Sequence, residues 1–471
     1  MPNYKSDLPA NYYFGGGDDA TSATPLAVLV LLTAIILVFA LPRKYAYVPF
    51  LIAALLLPLH VVVLVGSLHF NAARILVIAG WLRLLVRGDR FPGRLRLIDK
   101  VILSSALCSA VMYCLLWRDF GAVINRLGLL VTTMGSYFLL RFLVRDQEDV
   151  VRVIKTLAAV VIVIAPCMLY EHSSAYNPFW LLGAPQITNI RDDQIRAQGP
   201  FGHAIIAGTV GAVLLPVFVG LFLRRSRTRL LAAGAVMAST AMVLASRSST
   251  PMMTYAAAVL GLAMWPLRKR MRAVRWAVVA FLLVAQLSMS SPVWFILNRT
   301  SGVLGGSGWH RAMLVDNFVR HFFEWCLVGT RANPDWGWSM WDVDNAYVGA
   351  GLSGGLLSFI LFIAVLVYAF KRIGRARKRA EKYPDELRLV WVLGAALFAN
   401  TVAFFGIVYF DQAIVAWYAL LAMIAVAPTF VGAGQRPQLQ FRTAVPQIPA
   451  QISAAGSIPP YHDDAVGRLS R

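Results

Sequence analysis

The sequence predicts an all-α, polytopic membrane protein, and three observations carry that expectation. Hydrophobic residues fill 58% of 471 positions and mean hydropathy is +0.64, while charged residues make up only 14%. Soluble domains carry about 25%. From Pro25 to about Val431 the chain is a series of apolar runs separated by short loops. A run of ~20 residues crosses ~30 Å of hydrocarbon as a helix. Finally, the basic residues alternate from loop to loop. The net charge of +21 therefore reads as positive-inside topology, and no nucleic-acid partner is expected.

In chain order, a polar, slightly acidic segment (1–24) comes first and shows no cleavable signal. The expected spans are 25–42, 45–65, 67–86, 100–117, 122–141, 153–170, 201–223, 230–246, 250–267, 275–297, 346–370, 389–409 and 412–432. That gives about 12–13 transmembrane helices, because the second and third either stay separate, merge or re-enter. Gly and Pro inside these runs are ordinary for membrane helices. The membrane domain is thus 25–433, interrupted by one long loop at 298–345. Residues 434–471 are rich in Pro, Gln, Ala and Ser and are expected to be disordered. No internal repeat is evident, which removes one feature of many transporters.

Orientation follows from lysine. Seven of the eight lysines (Lys44, Lys100, Lys155, Lys269, Lys371, Lys378 and Lys382) fall in alternate loops, together with Arg224, Arg225, Arg227 and Arg229. Those loops are expected to be cytoplasmic. The amino terminus and the loops near 118–126, 171–200, 246–250, 298–345 and 410–411 then face outward. Of the four cysteines, only Cys326 falls in a loop, and no Cys/His spacing resembles a zinc site.

Outward loops normally avoid arginine, yet these keep Arg74, Arg118, Arg126, Arg191, Arg196, Arg247, Arg299, Arg311, Arg320 and Arg331. Arginine pairs bidentately with phosphate or carboxylate and keeps its charge, so an anionic ligand at the outer surface is one reading. Snorkelling to headgroups is the other. Arg74 lies within an apolar run, where a charge tends to face a cavity. Arg196 to His203 (RAQGPFGH) leads into a span whose first N–H groups favour an anion or a simple cap. Ser246-Arg247-Ser248 makes a tight polar turn before a Pro-started helix.

In the long loop, Gly308 to Trp325 reads as an amphipathic surface helix with Asp316, Arg320 and Glu324 at i, i+4 spacing. Trp336, Trp338 and Trp341 either stack on sugar or anchor at headgroups. Asp342 and Asp344 form a DxD pair, for which a base or hydroxyl-orienting role is preferred over a metal. His310 and His321 are further acid–base candidates. No nucleotide-binding motif or Ser-His-Asp constellation is present, and no metal or cofactor is expected.

These motifs, in this order, resemble the O-antigen ligase/polymerase-like superfamily, which includes exopolysaccharide polymerases. The resemblance rests on Arg196-x-x-Gly-x-Phe-x-His203, on Ser246-Arg247-Ser248, and on a long outward loop closing in Asp344-Asn-Ala-Tyr347 before Gly351 to Gly355. It covers about 185–370 and implies a GT-C-type glycosyltransferase of the bacterial inner membrane, multi-pass, with its active site facing the periplasm. The implied donor is a glycan on undecaprenyl pyrophosphate. By position, Arg196, Arg247 and Arg311 would engage its pyrophosphate, with Arg74 as a further candidate. Asp344, Asp342 and His310 would be catalytic, and Trp336, Trp338, Trp341 and His203 would contact glycan. Ligases of the family carry a His where this chain has Asp344, which favours a polymerase joining repeat units. The alternatives are ligase-type transfer to lipid A core or protein and, from another class, a flippase of lipid-linked glycan. Membrane lipids, a chain-length regulator and a flippase are the partners so implied.

Overall fold

The computed structural model describes residues 21–430 apart from 67, 90–92, 189, 192, 225–227, 297, 299–307 and 411. The segments 1–20 and 434–471, and Arg299, lie outside the described residues. The helices are α1 (Pro25–Ala40), α2 (Arg43–Leu56), α3 (Ala72–Val86), α4 (Leu97–Trp117), α5 (Phe120–Leu143), α6 (Gln147–Ser174), α7 (Ala204–Leu223) and α8 (Arg229–Ala245). They continue as α9 (Ser249–Ala263), α10 (Met271–Ser288), α11 (Gly308–Arg320), α12 (Phe322–Trp325), α13 (Ala346–Arg379), α14 (Pro384–Ala403) and α15 (Gln412–Phe430). Two short antiparallel hairpins, 62–71 and 190–195, accompany them.

Among the described residues, eight helical segments are long and apolar enough to cross a membrane: α4 to α7, α10 with its 3-10 lead-in, and α13 to α15. The chain is a multi-pass membrane protein, mostly helical. Five expected spans are shorter helices: α1, α2, α3, α8 and α9 have 16, 14, 15, 17 and 15 residues. The expected span 45–65 is overturned. Its helix stops at Leu56, and Val62–Val65 pairs with Leu68–Asn71 instead. Pro58 removes a helical donor, and the β-branched Val61, Val62 and Val63 favour an extended ribbon.

The centre of the bundle is α7 and α15, which are apolar all round and the most enclosed spans. A helix without a polar face belongs inside. Around them, α8, α9 and α14 pack on α7, α5 and α13 on α15, and α4 on α13. By contrast, α10 has no buried residue and presents its apolar surface outward.

At the lysine-bearing end, arginines donate to carbonyls near helix C-termini. Arg87 donates to Phe39 at 2.5 Å and Arg379 to Pro428 at 3.0 Å, while Arg96 and Arg372 converge on the Ala425 carbonyl. Asp99 is fully buried there, 3.5 Å from Arg141 and hydrogen-bonded by Tyr137.

The expected surface helix 308–325 is also corrected. It breaks at His321 into α11 and α12, and one face is buried. Leu314, Phe318 and Trp325 form a second small core with Met340, Val348 and Leu352, and the Phe318 and Trp325 rings stack at 3.9 Å. The Arg320–Asp316 pair forms at 2.6 Å, but Glu324 binds His321 and Trp336 instead.

This subdomain locks into a kink in α13. Gly355 sits at φ 71°, ψ −173°, a region open essentially to glycine alone. The kink frees backbone groups that the loop satisfies: Leu356 N–H donates to Cys326 at 2.8 Å and the Leu352 carbonyl accepts from Thr330 at 2.9 Å. A Cβ on Gly355 would stand 2.4 Å from the Leu327 carbonyl oxygen, whereas one on Gly374, in the same helix, meets nothing. Gly355→Ala is therefore expected to lower stability by about 2 kcal/mol or more, and Gly374→Ala to be neutral or stabilising by about 0.5–1 kcal/mol. Thermal unfolding in detergent measures both.

Candidate functional site

Five of the sequence-predicted residues lie around the point where α8 turns into α9. The turn Ser246-Arg247-Ser248 fits against α7 because Gly208 has no side chain: a Cβ there would come within 2.4 Å of Ser246 Oγ. On one side, the Ala245 carbonyl accepts from Ala197 N–H at 3.1 Å, which seats the Arg196 segment beside the turn. On the other, Arg311 Nη1 donates to Ser249 Oγ at 3.2 Å and Arg311 Nε to Asp344 Oδ2 at 3.1 Å. His310 Nδ1 stands 3.6 Å from Asp344 Oδ1, and its Nε2 is 2.9 Å from the Ser339 carbonyl. Contacts thus join Ser249, Arg311, Asp344 and His310, and the segments carrying Arg196 and Arg247 meet at Ala197 and Ala245.

The members of this cluster are not equivalent. Arg311 is buried and paired. Arg247 sits at φ 43°, is exposed, and makes no side-chain hydrogen bond or ion pair with the described residues. Asp344 gives Oδ2 to Arg311, while its buried Oδ1 faces His310 Nδ1 at 3.6 Å. The site therefore offers an unengaged guanidinium on a turn that Arg311 links to a carboxylate. Asp342 is exposed next door, and among the described residues no group of three metal-type side chains gathers here.

Buried polar residues that sequence reasoning missed hold the irregular backbone in place. Glu171, at the end of α6, is fully buried and accepts from Thr188 Oγ1 at 2.7 Å, Gln198 N–H at 3.0 Å and Gly199 N–H at 2.7 Å. Asn177 Nδ2 donates to the Gly199 carbonyl and Gln412 Nε2 to the Pro200 carbonyl, both at 2.8 Å. The available signal for Glu171 was an ionisable residue at the edge of an apolar run. On the carboxylate side, Asn345 caps α13 by accepting from Tyr347 and Val348 N–H, and Ala346 N–H donates to Phe404.

His203 is the N-cap of α7, its Nδ1 accepting from Ile205 N–H at 3.1 Å. Arg74 lies apart from the cluster. It stacks over Gly128 of α5 and lines a cavity of about 220 Å³ with Asn71, Asn125 and Gln412. The tryptophans divide: Trp336 stacks on His321 at 4.8 Å, Trp338 is exposed, and Trp341 lines a larger cavity beside α4.

The two histidines respond to pH in opposite directions. Burial, then the charges of Arg196 and Arg191, push His203 down to about 4, which suits a ring nitrogen that must accept a hydrogen bond. Unfolding frees it to protonate near 6.5, so stability should fall as pH drops below that value. Burial also opposes charge on His310, but the hydrogen bond and charge of Asp344, with the Ser339 carbonyl and Asp342, outweigh it and raise its pKa. Its stabilisation is complete below about 6.5 and is lost as pH rises through the raised value. Detergent melts across pH should show His203→Asn, which keeps a capping acceptor, flattening the acid side. His310→Gln should flatten the alkaline side.

No protein-family model matches the chain, and no curated protein matches it.

Proposed function

We propose that the protein is a membrane glycosyltransferase that joins lipid-pyrophosphate-linked oligosaccharide repeat units, as the polysaccharide polymerases it resembles do, at the periplasmic face of a bacterial inner membrane. The observation that carries this reading is the unengaged Arg247 guanidinium on a turn that Ser249 and Arg311 link to Asp344, whose other oxygen faces His310. Glycosyl transfer from a lipid pyrophosphate needs both. The acceptor hydroxyl bonds to the anomeric carbon as the bond to pyrophosphate oxygen breaks, and the electron pair leaves on the pyrophosphate. Arg247 and Arg196 offset that developing charge. The hydroxyl proton passes to Asp344, already turned by Arg311. Holding two lipid-anchored glycans in one cleft supplies proximity. The flippase alternative draws less support, since neither α7 nor α15, at the centre of the bundle, contains a charged residue.

The test is reconstitution with a lipid-pyrophosphate oligosaccharide and sizing of products on a gel. Arg247→Ala is expected to reduce transfer by about 100-fold or more with the melting temperature unchanged, because its side chain supports nothing in the fold. Arg311→Ala should lose activity and also about 1–3 kcal/mol of stability, because it leaves the half-buried Asp344 with His310 alone. A ladder of longer lipid-linked glycans in wild type marks polymerase chemistry, and a single transfer to an added acceptor marks a ligase. Undiminished product from Arg247→Ala overturns the arginine assignment.

A further inference from the structure

The loop that locks into the α13 kink also carries two bare apolar side chains. Phe323 is 88% exposed and Leu327 80%, while Phe318 and Trp325 of the same subdomain are buried. One exposed leucine is ordinary, but two such residues four positions apart call for a partner.

Their depth is read from two helices that share a landmark. Arg96, at the start of α4, and Arg372, near the end of α13, both donate to the Ala425 carbonyl. They therefore stand at one level, the lysine-bearing face. From Arg96 to Ser109 is about 20 Å along α4, and from Arg372 to Gly354 about 27 Å along α13, at ~1.5 Å per residue. Those two endpoints touch: a Cβ on Gly354 would lie 3.5 Å from Ser109 Cα. Guanidiniums at span ends sit at the edge of the hydrocarbon, which is ~30 Å thick. The kink therefore lies about 3–10 Å inside the opposite edge.

The loop is built for that depth. Where water is absent, backbone outside regular helix must find partners within the chain. Cys326 N–H donates to the Phe322 carbonyl at 3.0 Å, Gly329 to Trp325 at 2.9 Å and Thr330 to Leu352 at 2.9 Å, and the Cys326 carbonyl accepts from Leu356. From Phe322 to Thr330 the one charged residue is Glu324, and it turns to His321 and Trp336. On the lysine side of the kink, Leu357 and Ile360 of α13 are exposed and apolar as well.

We propose that Phe323 and Leu327 form a wedge inserted among the lipid acyl chains of the leaflet at the arginine-turn end. The partner is the bilayer itself, and the wedge continues the lipid-facing surface of α13. Because α12 follows α11 directly, the wedge also fixes the height of Arg311 above the hydrocarbon.

The test uses the unmodified full chain in bilayers of phosphatidylcholine whose acyl chains carry a photoactivatable diazirine, with adducts mapped by peptide mass spectrometry. Phe323 and Leu327 are expected to gain adducts in the yield found on Leu357. Asp335, exposed in the same subdomain, should gain none. Spin labels give a second reading, at Phe323→Cys, Leu327→Cys and Asp335→Cys in a chain whose four native cysteines are replaced by serine. Collisions with oxygen should exceed those with a water-soluble nickel chelate at 323 and 327, and the order should reverse at 335. Unlabelled 322–328 beside a labelled Leu357 overturns the proposal, as do spin labels at 323 and 327 that behave like the one at 335. Labels shielded from both reagents overturn it too, because a protein surface then covers them. Glycosyl transfer plays no part in either measurement, so the wedge stands or falls independently of the proposed reaction.

Discussion

The arrangement of the arginine-bearing end depends on one carboxylate, Glu171. Within a membrane protein, backbone N–H and C=O groups outside regular helix must find partners in the chain itself. Thr188 and the stretch 196–200 lie outside regular helix, and Glu171 answers for them by accepting three donors. Asn177 and Gln412 then take the Gly199 and Pro200 carbonyls. Only with this segment fixed can Ala197 meet Ala245 and bring Arg196 to the turn that carries Arg247. The same logic governs Gly355, where a broken helix donates its freed groups to the loop holding Arg311.

Arginine serves different physical ends at the two ends of the bundle. Toward the lysines, guanidiniums are turned to helix carbonyls and to the buried Asp99 and Asp149. At the other end Arg311 is paired, Arg247 is unengaged, and Arg126 and Arg331 are stacked on rings. Sequence reading counts all of these alike, as basic residues near span ends. What separates them is whether a carbonyl or carboxylate lies within reach, and that is a tertiary property.

Much of the fold was legible because hydrocarbon imposes a single strong rule on composition and length. The helix order and the lysine-bearing end follow from it, and the order Arg196, Arg247, Arg311, Asp344 marked residues that meet in space. The rule fails where length is ambiguous. The run 45–65 satisfies hydropathy yet contains Pro58 and three successive valines, and only backbone chemistry tells helix from hairpin there. Amphipathicity likewise assigned 308–325 to a surface, because the partners of Phe318 and Trp325, namely Met340, Val348 and Leu352, come from beyond the segment. His203 read as a ligand-facing residue and is also a helix cap. Glu171 and Gln412 left almost no trace, since each draws its meaning from elements far apart in the chain.

The division between Arg311 and Arg247 has a physical rationale. Even a half-buried carboxylate is costly without a partner, and Asp344 is held by Arg311 with His310 beside it. If that cation were also the one meeting a polyanionic ligand, binding would have to strip it from Asp344, and the carboxylate would be released as the anion arrived. Two arginines avoid the conflict. Arg311 stays with Oδ2 and with Ser249, fixing the direction of Oδ1, while Arg247 remains available on the same turn. Preorganisation of this kind costs nothing at the moment of reaction because the strain and desolvation are met during folding. The strained φ of 43° at Arg247 is then the mark of a side chain held where the fold itself makes no use of it.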